Sequence, residues 1–407
     1  MQWSNRAMSS WLIENTSVEV KNVQENYKPI GDYIRVVNLK NRDLAVKQLI
    51  GLSIDKCYIP SVANVIGTDL STYKIIKRNQ FACSLMQVSR DEKIPIACMM
   101  EYDEAIMSPA YVIFEIIDES ALMPEYLNMW VMRAEFDREA SFLAVGGVRG
   151  SLAWDDFCRM KLPVPSIDEQ RKIVKAYQTI TDRIKLKKQI NDNLANTEQA
   201  ILVEAINNSA TAPITFGEIA EFIDGDRGKN YPTFDEFTTS GYCLFLNASN
   251  VTADGFNFDT CMFITKEKDE AMNKGHLSRN DIVLTSRGTL GNVALYDEYI
   301  RFENVRINSG MLIIRPRVKN ISHYLIYALL RSGYMKAAIE KYRSGSAQPQ
   351  LPIKDLQKIS FNIPQTTEKL NDIDRQFKSI EKQIALNNQE IESLKQLCAV
   401  LLAELSR

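Results

Sequence analysis

The sequence predicts a mixed α/β protein: two globular domains joined by two long helices that pair as an antiparallel coiled coil, arranged as a pseudo-two-fold internal repeat. Two observations carry this. Heptad-patterned segments recur roughly 200 residues apart, with Ile173, Tyr177, Ile180, Ile184, Leu194 and Ile201 on the first apolar seam and Ile373, Phe377, Ile380, Ile384, Leu394 and Leu401 on the second. The correspondence continues upstream. Arg78-Asn79 before the apolar run Phe81 to Leu85 matches Arg279-Asn280 before Ile282 to Leu284, and Ser108 matches Ser309. Leu152, Asp156 and Pro165 match Leu351, Asp355 and Pro364.

Taken in order, residues 1–29 form an N-terminal extension with no counterpart before the second half. Residues 30–166 mix short apolar strands with a helix around Glu125 to Arg138, the pattern of a small α/β domain. Pro163 and Pro165 close it, and Ser166 with Glu169 makes a capping box for a helix over 167–207, about 60 Å long. Residues 208–213 form a polar linker. A second α/β domain spans 214–365, and Thr366 or Thr367 starts a helix over 366–407. Neither helix can leave its seam in water, so the two must cover each other. Lys187, Asn191 and Asn387 interrupt the seams, and such polar core positions set register or orientation at some cost in stability.

At 407 residues the chain is too long for one core, and its net charge of −2 excludes a strongly basic nucleic-acid glove. Seven cysteines, at 57, 83, 98, 158, 243, 261 and 398, form no close pair, which predicts reduced thiols in a cytoplasm. No apolar run approaches the roughly 20 residues of a membrane span. Catalytic equipment is sparse: Gly225 to Lys229 is too short for a phosphate loop, there is no dinucleotide fingerprint, and His276 and His323 are the only histidines. Each histidine reads as a turn or helix-start residue. Asp156 and Asp355 read as helix or turn caps. No catalytic residue and no metal ligand is predicted.

Recognition chemistry is better represented. Ser286, Arg287 and Thr289 follow an apolar strand; Arg343, Ser344, Ser346 and Gln348 form a polar loop; Arg227 and Lys229 lie in GDRGKNY. The first half offers Asn64, Thr68, Lys74, Lys77, Arg78, Arg90, Lys93 and Arg149. Arg149 aligns with Gln348, and arginine suits guanine where glutamine suits adenine, so the two halves would read different sequences. For any single lysine, a solvated surface is the simpler reading.

In this order and repetition, the segments LAWDDFCRMKLPVPSIDEQRKIV and LPIKDLQKISFNIPQTTEKLNDI, the stretch DIVLTSRGTLGNVAL and the loop SGSAQPQL resemble the DNA-specificity subunits of Type I restriction-modification enzymes. So does SIDKCYIPSVANVIGTDLSTYKIIKRNQ, which resembles a recurring target-recognition domain of that family. The resemblance implies that residues 30–166 and 214–365 are target-recognition domains, each reading half of a bipartite double-stranded DNA site, while the helices set the spacer. It also implies two methyltransferase subunits as partners, which hold S-adenosylmethionine, and restriction subunits that use ATP with Mg. This chain would bind no cofactor and be non-catalytic. The alternatives are a coiled-coil adaptor that binds only proteins and, behind it, a DNA-modifying enzyme.

Overall fold

The structure, a computed structural model, describes residues 27–61, 67–145, 150–342 and 350–405. The chain divides into two compact units, Met1–Ile184 with Ser393–Arg407, and Lys185–Glu392. Each unit therefore holds one domain together with a part of each long helix.

In the first unit the strands are β1 (Tyr27–Pro29), β2 (Ile34–Val37), β3 (Ile50–Leu52), β4 (Tyr58–Pro60), β5 (Lys74–Lys77), β6 (Phe81–Cys83), β7 (Ile96–Cys98), β8 (Glu104–Met107), β9 (Val112–Ile116) and β10 (Lys161–Pro163). The helices are α1 (Val88–Asp91), α2 (Pro124–Val131), α3 (Ala134–Leu143), α4 (Trp154–Arg159) and the start of α5 (Ile167–Asn207). The central sheet runs β2-β9-β6-β7, antiparallel throughout. Strands β6 and β7 are buried on both faces and β9 mostly so, while β2 exposes Arg35 and Val36. Phe81, Cys83, Phe114 and Ile116 pack towards the helices, while Ala82, Ala97 and Ile113 pack towards a second apolar layer with Ile50, Ile76 and Met107, as the two-residue period of a strand requires.

The second unit continues with β11 (Thr211–Thr215), α6 (Phe216–Ile219), β12 (Ala220–Asp224), β13 (Cys243–Leu246), β14 (Val251–Thr252), β15 (Gly255–Phe256), β16 (Phe263–Ile264), α7 (Lys266–Ala271), β17 (Asp281–Thr285), β18 (Val293–Tyr296), β19 (Val305–Ile307) and β20 (Met311–Pro316). It closes with α8 (His323–Arg331), α9 (Gly333–Tyr342), α10 (Ile353–Leu356), β21 (Ser360–Pro364) and α11 (Thr367–Glu404). Its sheet β12-β20-β17-β18 repeats the first one strand for strand. Ile282 and Leu284 face the helices, and Val283 faces the opposite layer. Asn79 and Asn280, aligned in the repeat, both take left-handed backbone (φ 66° and 74°) ahead of β6 and β17, a conformation asparagine tolerates better than most residues.

Four expectations need correction. Tyr27–Pro29 is not part of an unmatched extension: β1 pairs with β10 as β11 pairs with β21, and Ile30 N–H donates to Met160 O (2.8 Å) as Phe216 N–H donates to Ile359 O (3.0 Å). For the same reason Thr211–Pro213 is strand rather than linker. The helix expected over Glu125 to Arg138 is two helices, because Arg133 is extended (φ −73°, ψ 144°) and breaks the backbone ladder. Ser332 makes the matching break between α8 and α9, accepting a hydrogen bond from Met335 N–H. Asp156 and Asp355 lie within the first turns of α4 and α10, paired with Arg159 (2.6 Å) and Lys358 (3.1 Å) rather than capping.

Capping at Ser166 is reciprocal, Ser166 N–H donating to Glu169 and Glu169 N–H to Ser166 Oγ. In the first unit, Ile173 and Tyr177 pack on the domain core together with Leu402 and Leu405, and Val174, outside the heptad seam, is buried there as well. In the second unit, Ile373 and Phe377 are buried in the core with Leu202, another residue off the seam, and Ile201 packs against it. Ile380 is also buried, whereas Ile180, Ile184, Leu194, Ile384, Leu394 and Leu401 are half-buried.

Within the second unit the helices run antiparallel, since Lys187 meets Glu390 (2.9 Å) and the later Glu198 approaches the earlier Glu381. The polar seam positions find one another. Lys187 Nζ donates to Asn387 Oδ1 (3.0 Å), Asn387 Nδ2 to Asn191 Oδ1 (2.7 Å), and Asn191 Nδ2 to Asn388 Oδ1 (2.8 Å). Further along, Glu198 and Glu381 are buried around one cation, Arg331 of α8, at 3.7 and 3.1 Å. Among the described residues no N–H or O–H donor reaches either oxygen of Glu198. Burial and the charge of Glu381 push its carboxyl well up.

Asn387→Ala should destabilise the chain by about 1–2 kcal/mol in urea unfolding, because it removes the bonds that the buried Asn387 amide makes to Lys187 and Asn191. A carboxyl whose folded pKa is raised contributes stability that is present below its unfolded value of about 4.3 and lost as pH rises through the folded value. Glu198→Gln, which mimics the protonated form, should therefore raise Tm at pH 8, with the gain shrinking as pH is lowered towards 5.

Candidate nucleic-acid interface

In each unit two loops distant in sequence are fastened together beside the central sheet. After β6, Ser84 N–H bonds Pro95 O (2.9 Å), and after β17, Thr285 N–H bonds Asn292 O (2.9 Å), so each strand runs into a loop closed at its base. The second loop comes from the segment ahead of α4 or α10. Leu152 N–H donates to Leu85 O (2.9 Å) in the first unit, and Leu351 N–H donates to Ser286 O (3.2 Å) in the second. Arg287 and Gln350 also form an antiparallel bridge.

The two tips share a backbone and differ in side chains. Gln87 is left-handed (φ 63°) where Gly288 is left-handed (φ 73°), and Leu85-Met86-Gln87 stands in place of Ser286-Arg287-Gly288. The first loop is extended by α1, which carries Arg90. Gln87, Ser89, Arg90 and Gly150 line an open recess. Gly150 is left-handed (φ 72°), a backbone that favours glycine.

The predicted contact residues separate into two groups. Some are committed to the fold. Lys74 is half-buried and donates to Tyr111 O (2.7 Å), with burial pulling its pKa down. Arg78 forks onto Asp103 (3.0 and 2.9 Å), much as its counterpart Arg279 donates to Ile300 O (2.9 Å) and stacks on Tyr296. Lys93 pairs with Asp55 (3.3 Å), and Arg227 with Asp224 (3.1 Å). Arg90 pairs with Asp91 and Gln87 (2.7 Å each), the bond to Asp91 pushing its pKa up. Ser286 is a correction: it is buried and its hydroxyl donates to Gly310 O (3.0 Å), so it shapes the tip rather than facing a ligand.

The other group is uncommitted. Among the described residues, the side chains of Lys77, Lys229, Thr68, Arg287 and Thr289 make no hydrogen bond or ion pair; Arg287 is half-buried and the other four are exposed. Lys229 lies in a loop held from below by Asp226, which accepts from Gly228 N–H (2.6 Å) and Asn273 N–H (2.7 Å). Burial alone would raise the Asp226 carboxyl, but these backbone amides overturn it and hold it below its ordinary range. Asn64, Arg149, Arg343, Ser344, Ser346 and Gln348 lie outside the described residues.

Sequence reasoning missed Gln87, Ser89 and Gln350. The repeat alignment placed Gln87 opposite Gly288, which was the available signal. It also missed the exposed Phe142 and Val145 leading into residues 146–149, and Phe234, which is 87 % exposed. All seven cysteines are free thiols, and among the described residues no helix is long and apolar enough to cross a membrane.

Comparison with known proteins bears on the family and the fold. The model of the Type I restriction modification DNA specificity domain matches residues 110–196 and 210–396, more than half of the chain. The crystal structure of a Type I restriction-modification system S subunit from M. genitalium superposes with a TM-score of 0.52 at 16 % identity, over 93 % of this chain and 95 % of that one. A structure from work on complex assembly and conformational transition of the type I R-M system (TM-score 0.41, 14 % identity, 95 % and 99 % covered) superposes less well. So does the HsdS subunit from Thermoanaerobacter tengcongensis (TM-score 0.33, 16 % identity, 96 % and 99 % covered). No curated protein matches by sequence. With its duplicated domains and its two family matches, the chain belongs to the Type I restriction-modification DNA specificity family and is a DNA-specificity subunit.

Proposed function

We propose that each domain reads one half of a bipartite double-stranded DNA site, and that the strand tips carrying Met86-Gln87 and Arg287-Gly288, with the loops fastened to them, are the reading elements. The observation that carries this is the pairing of a conserved backbone with divergent side chains at the two tips. A fold under structural constraint alone has no reason to place an uncommitted Arg287 where the other copy has Met86. Arg287, Lys77 and Lys229 supply cations that no partner among the described residues consumes, as phosphate and base contact needs.

The long helices set the unread spacer and bind two methyltransferase subunits. Leu186, Ile190 and Leu386, all in the second unit, leave apolar side chains exposed on those helices, which suits protein docking. The methyltransferases hold S-adenosylmethionine, and restriction subunits bring ATP with Mg. This chain works in the cytoplasm, is non-catalytic, and contributes sequence choice and assembly. A protein-only adaptor would need none of the uncommitted cations at the tips.

With the chain co-expressed beside its methyltransferase, methylated adenines mapped across the host genome should show a two-part motif with an unread gap. Exchanging residues 27–166 for another recognition domain should then rewrite one half of that motif; a change in both halves would defeat the modular reading. Arg287→Ala should leave folding intact, because the tip is fastened by main-chain bonds, and should cost about 1–3 kcal/mol of discrimination between cognate and altered DNA. Unchanged discrimination would remove this tip from the reading surface.

A further inference from the structure

Apart from the recognition tips, three side chains with ligand chemistry converge in the second domain. Cys243 opens β13, Asp269 lies in α7, and His276 sits in a bridge to Arg306 of β19. Their ligand atoms all lie within 4.8 Å of one another. We propose that Cys243, Asp269 and His276 bind a divalent d-block cation of the zinc type, with water as the fourth ligand.

His276 Nε2 and Asp269 Oδ2 are 3.6 Å apart, too long for a good hydrogen bond. Bonds of 2.0–2.1 Å to a tetrahedral zinc would separate two such atoms by about 3.4 Å. The surroundings orient both ligands. His276 Nδ1 lies 3.0 Å from Leu277 O, which can only accept, so Nδ1 carries the proton. In the neutral ring the Nε2 lone pair then faces the carboxylate, and two acceptors in that relation need a positive charge between them. Backbone bonding of the second ring nitrogen is the usual support of a metal-binding imidazole.

Asp269 is arranged in the same way. Arg306 Nε donates to its Oδ1 (2.6 Å) and Nη2 to its backbone carbonyl (2.8 Å), leaving Oδ2 for the site. Arg306 and Asp269 neutralise each other. A dication with the Cys243 thiolate therefore leaves the same single positive charge as a protonated His276, and gains three coordinate bonds. The thiolate selects zinc-type cations over magnesium or calcium. Cys243 is fully buried, while the His276 side chain is 39 % exposed and gives a path of entry. Sequence spacing hid the site, because its ligands come from three separate elements and share no short motif.

The segment after α7 also bonds Asp226 through Asn273 N–H and Lys274 N–H. Metal binding would thus brace the loop that carries Arg227 and Lys229.

The test is metal analysis of the full chain after gel filtration, followed by exchange with cobalt(II). The expected result is one zinc per chain and a thiolate-to-cobalt charge-transfer absorption. Cys243→Ser should abolish that absorption. His276→Asn, at a half-exposed position that tolerates change, should weaken zinc binding about tenfold or more while circular dichroism stays unchanged. A cooperatively folded wild-type chain with no retained zinc and no charge-transfer absorption would overturn the proposal. So would variants that hold zinc as tightly as the wild type, since the metal would then lie elsewhere.

Discussion

The apolar seam of the two long helices is the constraint on which the rest of the structure depends. An amphipathic helix of this length has no stable place in water by itself, so each must be covered, partly by the other helix and partly by a domain. Hydrophobic contact is non-directional and would accept several registers. The polar layer of Lys187, Asn191, Asn387 and Asn388 is directional and accepts few, because any slip breaks its bonds and leaves the buried Asn387 amide without partners. The seam supplies cohesion and the polar layer supplies alignment.

Arg331 applies the same logic to the domain. It brings one cation from α8 to two buried carboxylates on the helices, and burial pushes both carboxyls up. Such a contact adds little net stability, since desolvating the charges offsets most of their attraction. It does specify where α8 must lie on the helix pair.

Much of this was legible in the sequence because it is periodic. The α5 range, the capping box at Ser166, the doubled organisation and the polar seam residues all follow from spacings within one segment. What escaped depends on contacts between segments. Nothing local marks Tyr27–Pro29 as the partner of Lys161–Pro163, or Arg133 as an extended residue that divides a helix. The tips were only half legible: the repeat identified the matching positions, while the commitment of Lys74, Arg78 and Ser286 to internal partners appears only in three dimensions. A carbonyl of Tyr111 or a carboxylate of Asp103 turns a candidate reader into a structural fastening.

The bond between Leu351 N–H and Ser286 O, like that between Leu152 N–H and Leu85 O, uses only main-chain atoms. Every residue except proline can make it. Side chains at positions 86 and 287 are therefore released from any duty in holding the loop, and substitutions there escape the stability threshold that filters most mutations. On the proposed reading, a lineage under pressure to alter its target can change side chains at these points without breaking the main-chain fastening. The backbone fastening leaves the tips free to vary in sequence.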